Sequence, residues 1–115
     1  TKMSDKLYNL DFVNSMAGGN QDFINQLLTL FVDSVPESID LINKHYANND
    51  LENLAKEAHK LKSTINTVQI PSFIEKIKEI EMICKTGEGL EKLPGLIAEF
   101  NEVMPKAVEQ VKELL

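Results

Sequence analysis

The spacing of apolar residues constrains the fold of this chain more than any other feature. Long segments repeat apolar positions every three or four residues, the period of an amphipathic helix, and none alternates as a strand does. The longest segment runs across Pro36, which either kinks a helix or restarts it. We therefore predict an all-α fold. The apolar positions of the longest segment are Phe23, Ile24, Leu27, Leu28, Leu30, Phe31, Val35, Ile39, Ile42 and Tyr46.

Glycine, proline and asparagine mark the ends of the predicted helices. A short amphipathic segment over residues 7–16 stops at Gly18-Gly19, and Asn20 is suited to cap the long helix that follows. The final helix is predicted to start at Leu90 or Pro94, to contain Pro105 and to reach the end of the chain.

The third and fourth helices have candidate capping boxes, in which a polar N-cap side chain and a later Glu satisfy each other's backbone donors. Asn49 with Glu52 predicts the start of the third helix, which continues to about Gln69. Ser72 with Glu75 predicts the start of the fourth helix, after a break at Ile70-Pro71.

Short connections between long amphipathic helices imply that neighbouring helices run antiparallel. The predicted architecture is an antiparallel up-down four-helix bundle with a short extra N-terminal helix. A chain of 115 residues is long enough to bury one core, so residues 1–115 are predicted to form a single domain.

The third helix presents a histidine at the edge of its apolar stripe. With about 100° per residue, the stripe spans roughly 140° and His59 lies about 40° outside it, within reach of solvent and of a partner. Lys62 falls inside the edge, so its stem must be buried and its ammonium must reach outward beside His59. Ala55, Ser63 and Asn66 share this flank. The stripe consists of Leu51, Leu54, Ala55, Ala58, Leu61, Ile65 and Val68.

The fourth helix places a carboxylate among its apolar residues. Glu81 lies inside the stripe that contains Ile77, Ile80 and Cys84, and an inward carboxylate is costly unless it has a partner. Folding the third and fourth helices back on each other around residues 70–71 places position 82 opposite His59. Glu81 is therefore predicted to be the nearest inward-facing polar group to His59.

These side chains suit phosphoryl transfer through an imidazole nitrogen. A neutral imidazole is a nucleophile near pH 7, and a carboxylate on one ring nitrogen orients the other outward. An ammonium such as that of Lys62 stabilises phosphoryl oxygens. The sequence contains no nucleotide-binding loop and no Mg²⁺ cluster. We therefore predict that the chain is not an enzyme in its own right and that a partner brings the catalytic machinery.

The segment Ala58-His59-Lys60-Leu61-Lys62-Ser63-Thr64 resembles the A-H-x-L-K-G-S/T motif of histidine-phosphotransfer domains. The similarity extends to Asn20-Gln21-Asp22-Phe23, to Phe31 followed by Pro36, to Asn49-Asp50-Leu51 and to Ile80-Glu81. The resemblance implies a four-helix bundle with His59 as phosphoacceptor and Glu81 as the group that hydrogen-bonds its ring. Two family glycines are replaced, by Ser63 and Gln69. Ser63 is small enough to leave room for a receiver but implies slower transfer or a narrower choice of partner, whereas Gln69 lies far from the ring and indicates a different turn into Pro71.

The resemblance also implies the partners: a response-regulator receiver domain that supplies Mg²⁺, and an upstream sensor histidine kinase, with no cofactor bound by the chain itself. We expect the receiver to contact Lys56 and the small or polar residues on the flank of His59. Exposed apolar residues of the N-terminal helix are further candidates, namely Phe12, Val13 and Met16, although simple packing against the end of the bundle is the alternative for these three.

Composition is consistent with this interpretation. A net charge of −6 argues against binding to nucleic acid, and the absence of an 18-residue apolar run predicts no membrane contact by this domain. The polar opening Thr1–Asp5 lacks the apolar core of a signal peptide, and lone Cys84 forms no internal disulfide. We expect a cytoplasmic location, as a free protein or as a domain of a membrane-anchored hybrid kinase.

Two competing functions were weighed. Di-iron bundles use Glu-x-x-His pairs, but Lys56 precedes His59 by three positions and Ile42 precedes His45, so no metal site is predicted. A non-phosphorylated interaction module of the same fold, which binds a kinase or receiver, stays open as the alternative. The presence of both His59 and Lys62 favours the carrier.

Overall fold

The computed structural model describes residues 6–115, and the Thr1–Asp5 segment lies outside the described residues. The described part consists of helices joined by turns, with a β-bridge between Asn9 and Gln69 and no strand among these residues, which confirms the all-α prediction. Its elements are α1 (Asp11–Ala17), α2 (Gln21–Ala47), α3 (Leu51–Thr67), α4 (Ile74–Thr86) and, after a 3₁₀ turn at Leu90–Lys92, α5 (Leu93–Lys112).

Helix α2 is one continuous helix of 27 residues that passes through Pro36 without restarting. The predicted cap is confirmed, because the Asn20 side chain accepts a hydrogen bond from the Phe23 amide at 3.2 Å. At about 1.5 Å per residue, a helix of this length measures roughly 40 Å. It therefore accounts for the 43 Å long dimension of the molecule.

The start of α3 differs from the prediction. Asp50, not Asn49, is the N-cap, and its carboxylate accepts from the Asn53 amide at 3.3 Å and from Asn53 Nδ2 at 2.7 Å. These hydrogen bonds from Asn53 lower the pKa of Asp50. Asn49 instead adopts a left-handed conformation, φ 55°, in the turn between the helices. The predicted Asn49–Glu52 capping box is wrong because the helix starts one residue later.

The connection between α3 and α4 also differs from the prediction. Helix α3 ends at Thr67 because Val68 is extended, and the Gln69 carbonyl accepts a hydrogen bond from the Asn9 amide at 2.7 Å. Helix α4 starts after a turn in which the Phe73 amide donates to the Ile70 carbonyl at 2.8 Å. Its N-cap makes no side-chain hydrogen bond, so the predicted Ser72–Glu75 capping box is wrong.

The core lies between the long helices. Helix α2 packs against α3 and α5, α4 packs against α3 and α5, and α1 packs against α2. The rings of Phe73 and Phe100 meet at a centroid distance of 5.7 Å. Val13 of α1 is fully buried in this core, which corrects its predicted place on a docking surface. The free energy is lower with this apolar side chain buried than with it exposed to water.

No helix within residues 6–115 combines the length and apolar character needed to cross a membrane.

Candidate functional site

His59 lies on the outer face of α3 with its ring partly in solvent. Its side chain is 66% exposed, and its Nδ1 is 2.7 Å from Oε2 of Glu81 on α4. The α3–α4 hairpin creates this contact, because residues at similar distances from its turn face each other. The sequence prediction that Glu81 is the polar group nearest His59 is confirmed by this hydrogen bond.

Glu81 is a buried carboxylate with three cationic or donor partners. It is 6% exposed, Lys62 Nζ donates to Oε1 at 3.0 Å, and Lys85 Nζ lies 3.3 Å from Oε2. Burial raises the pKa of Glu81, but hydrogen bonds from Lys62, His59 and Lys85 outweigh burial and lower the pKa to about 2. Glu81 is therefore ionised at neutral pH and accepts hydrogen bonds without donating any.

The two lysines reach Glu81 in different ways. Lys62 comes from α3 with its side chain 29% exposed, so its stem is packed as predicted. Its ammonium was predicted to reach outward, but it donates instead to the buried carboxylate of Glu81. Lys85 lies one turn after Glu81 on α4 and is 60% exposed. The sequence analysis did not name Lys85 as a site residue. Its spacing of four residues from Glu81 was the signal that could have identified it.

A groove of about 590 Å³ adjoins His59 between α3 and α4. Cys84 lies in its wall at 7% exposure, and burial raises the pKa of this thiol, which makes the cysteine an inert apolar residue here. The groove is lined by Glu52, Ala55, Lys56, His59, Glu81, Cys84 and Lys85.

The structure divides the predicted partner-contacting residues into three groups. Ala55 and Lys56 line the groove beside His59. Ser63 and Asn66 are exposed further along α3. On α1, Phe12 and Met16 are 44% and 48% exposed, whereas neighbouring Val13 is buried. Exposure leaves Lys56, Ser63, Asn66, Phe12 and Met16 available to a partner, whereas Ala55 is buried at 6% exposure and only lines the groove.

Within residues 6–115, no group of three or more His, Cys, Asp or Glu side chains is arranged to hold a metal ion. The groups that meet at His59 are its own oriented imidazole, the buried Glu81 carboxylate and the ammonium groups of Lys62 and Lys85.

In a comparison with protein families, the family model of the Hpt domain matches residues 26–114. This range is more than three quarters of the chain and contains His59, Lys62 and Glu81. The chain therefore belongs to the Hpt domain family. Hpt domains are histidine-phosphotransfer carriers of two-component signalling and are not autonomous enzymes. Comparisons with curated proteins and with solved structures gave no significant match.

Proposed function

We propose that this chain is a phosphorelay carrier in which His59 accepts a phosphoryl group from a receiver or kinase domain and passes it to the aspartate of a response-regulator receiver. The observation that carries the proposal is the 2.7 Å contact between Nδ1 of an exposed histidine and a buried carboxylate. A module that only binds its partner needs no carboxylate beneath an exposed imidazole.

The contact with Glu81 determines which ring nitrogen reacts. Because ionised Glu81 only accepts hydrogen bonds, Nδ1 of neutral His59 must carry the proton and donate it. The lone pair is then on Nε2. We infer that Nε2 of His59 is the phosphoacceptor atom.

On the carrier, the proposed transfer step needs only the His59 ring, Glu81 and Lys62. The Nε2 lone pair attacks the phosphorus of the receiver's aspartyl phosphate, an N–P bond forms, and the P–O bond breaks with its electron pair leaving on the aspartate. The ring keeps its Nδ1 proton and gains a positive charge, which the Glu81 carboxylate offsets. Lys62, 3.0 Å from Glu81, is close enough to the ring to turn toward the phosphoryl oxygens. The reverse sequence delivers the group to the next receiver.

The remaining requirements are assigned to partners. We infer that the receiver supplies Mg²⁺ and the surrounding catalytic groups, and that a sensor histidine kinase of simple or hybrid architecture lies upstream. The receiver is proposed to cover His59 and to contact the exposed predicted residues. These are Lys56, Ser63, Asn66, Phe12 and Met16, while buried Ala55 lines the groove beside His59. No role with nucleic acid or membrane is proposed, and the relay is placed in the cytoplasm.

We further infer that residues 1–115 form one domain built as an antiparallel up-down four-helix bundle. The short connections between successive long helices support this arrangement, as does the packing of α2 on α3 and α5 and of α3 on α4.

The decisive experiment uses phosphorylated receiver domains as donors to the wild-type chain and to His59→Gln. We expect the intact mass of wild type to increase by one phosphoryl group, and the product to be labile in acid and stable in alkali, as a phosphoramidate is. His59→Gln has no ring nitrogen to accept the group and is expected to remain unlabelled.

If a broad receiver panel and a small phosphoramidate donor both leave folded wild type unlabelled, the carrier assignment is wrong. The interaction module that binds without accepting phosphate then becomes the better explanation, and Ser63, which replaces the family glycine, is the first residue to revert.

A further inference from the structure

The buried carboxylate of Glu81 has more cationic partners than its charge requires. Its Oε1 accepts a hydrogen bond from Lys62 Nζ at 3.0 Å. Its Oε2 lies 2.7 Å from Nδ1 of His59 and 3.3 Å from Nζ of Lys85. Two ammonium groups therefore contact a single carboxylate. One of them is enough to neutralise it, so the second carries a positive charge beyond what neutrality requires.

The pair between Lys85 and Glu81 differs from the surface pairs that have the same spacing. Lys56 and Lys106 also lie four residues after a glutamate, at 3.7 and 3.8 Å, but the side chains of those glutamates are 82% and 70% exposed. Water solvates such carboxylates with or without the lysine. The side chain of Glu81 is 8% exposed, and a buried carboxylate that loses its partner is destabilised because little water takes the partner's place.

The two lysines reach Glu81 from different helices. Lys62 belongs to α3 and follows His59 by three residues, which places it within one turn of the reacting ring. Lys85 belongs to α4, so its pair with Glu81 lies within one helix and does not depend on where Lys62 points. The proposed function turns Lys62 toward the phosphoryl oxygens, and this movement removes the donor from Oε1 of Glu81. Lys85 is then the ammonium group that stays on the buried carboxylate.

We propose that Lys85 is a positioning residue for phosphoryl transfer, which keeps Glu81 charged and in place beneath His59 while Lys62 binds the phosphoryl group. This inference rests on the proposed function, because that function requires Lys62 to leave Glu81 when the phosphoryl group arrives. In this role Lys85 acts only through Glu81. The hydrogen bond from Lys85 is one of those that lower the pKa of Glu81, which is consistent with the role.

The first test separates the rate of transfer from the affinity for the receiver. Transfer from a phosphorylated receiver gives the maximal rate at saturating receiver and the receiver concentration at half that rate. We expect Lys85→Gln to lower the maximal rate about tenfold and to change the half-saturating concentration less than about twofold. Lys85→Arg keeps a cation that can bind the carboxylate and is expected to stay within about threefold of wild type. The control is Lys106→Gln, whose lysine pairs with exposed Glu102, and it is expected to match wild type.

A second background shows whether Lys85 acts through Glu81. Glu81→Gln keeps a side-chain oxygen that can accept the hydrogen bond from Nδ1 of His59, but it has no charge for Lys85 to hold. Transfer is therefore expected to remain measurable in Glu81→Gln, and the addition of Lys85→Gln is expected to change its maximal rate less than about twofold. A lysine that contacted the phosphoryl group or the receiver directly would cause the same loss in both backgrounds.

NMR of the ring nitrogens of His59 follows the Nδ1 proton independently of the transfer rate. In unphosphorylated Lys85→Gln, Lys62 still donates to Glu81, so the Nδ1 proton signal is expected to stay as sharp as in wild type. In phosphorylated Lys85→Gln, both ammonium groups have left Glu81, and the signal is expected to broaden through exchange with water. In phosphorylated wild type the signal is expected to stay sharp because Lys85 remains.

Four results would overturn this inference. They are a wild-type maximal rate in Lys85→Gln, a change in the half-saturating concentration alone, an equal loss in the wild-type and Glu81→Gln backgrounds, and an equally sharp Nδ1 signal in phosphorylated Lys85→Gln and wild type. If Glu81→Gln transfers too slowly to measure, the Nδ1 signal decides. Circular dichroism confirms that each variant is folded. Failure of the proposed function is a separate outcome, because wild type itself then gains no acid-labile phosphate.

Discussion

Glu81 shows how one residue connects burial with reactivity. Its position inside an apolar stripe identified it from the sequence, because an inward carboxylate requires a partner. The structure shows that Glu81 contacts Lys85, Lys62 and His59 together. The sequence did not identify Glu57 as a buried residue, because its carboxylate is held inward by a hydrogen bond from Ser38, which lies 19 residues earlier in the chain.

The lowered pKa of Glu81 predicts a defined pH dependence of stability. Because the folded-state pKa lies below the ordinary value of 4.5, ionised Glu81 stabilises the fold above pH 4.5, and this stabilisation is lost as pH falls toward 2. The shift corresponds to about 3 kcal/mol in total. Urea unfolding of wild type and Glu81→Gln between pH 6 and pH 2.5 measures it, and the acid-dependent loss is expected to be larger in wild type than in Glu81→Gln, which keeps the contribution of Asp50.

Glu75 provides the control for this prediction, because it lies on the same helix and pairs with Lys78 but is 84% exposed. Glu75→Gln is expected to keep the pH dependence of wild type. If Glu81→Gln also keeps it, the carboxylate is not held ionised by its neighbours.

At the scale of the helices, the spacing of apolar residues predicted where each helix lies. It did not predict where each helix begins and ends, because those positions depend on contacts with side chains and backbone elsewhere. The start of α3 shifted because Asp50 binds Asn53, and its end shifted because Gln69 pairs with Asn9. The buried Ser38–Glu57 hydrogen bond is a second contact of this kind, since it joins α2 to α3 two residues before His59.

Removal of the Ser38 hydroxyl is expected to destabilise the α2–α3 contact. Ser38→Ala leaves the buried Glu57 carboxylate without its 2.8 Å donor, and an unsatisfied buried group costs about 1–3 kcal/mol. The free energy of unfolding in urea measures this effect. Ser34→Ala is the control, because Ser34 lies on the same helix, is exposed and binds only its own helix backbone; a change below about 0.5 kcal/mol is expected there. Equal effects of the two substitutions would contradict the assignment.

At the scale of the whole molecule, the segment before α2 is tied to distant parts of the chain. The Leu7 amide donates to Gln110 Oε1 of α5 at 2.8 Å, and the Asn9 amide donates to the carbonyl of Gln69, just after α3. These contacts hold α1 so that Val13 enters the core, while Phe12 and Met16 face outward. One helix of seven residues therefore has a packing role and an exposed apolar face.

Alanine substitutions in α1 are expected to separate these two roles. Val13→Ala removes fully buried methyl groups and is expected to lower the free energy of unfolding by about 2 kcal/mol with little effect on transfer. Phe12→Ala and Met16→Ala are expected to cost no more than about 1 kcal/mol in stability, and to lower the second-order transfer rate about fivefold if a receiver docks there. Transfer at the wild-type rate in both variants would remove α1 from the docking surface.

The sequence by itself determined the helical class, the order of the helices and the three residues His59, Lys62 and Glu81. It could do so because amphipathic period and the cost of an inward charge are local properties of a helix. The tertiary structure alone decided that Val13 is buried, that Asp50 and not Asn49 caps α3, and that Glu57 is held inward by Ser38. Each of these features depends on contacts with residues that come close only when the helices pack, so helical periodicity does not predict it.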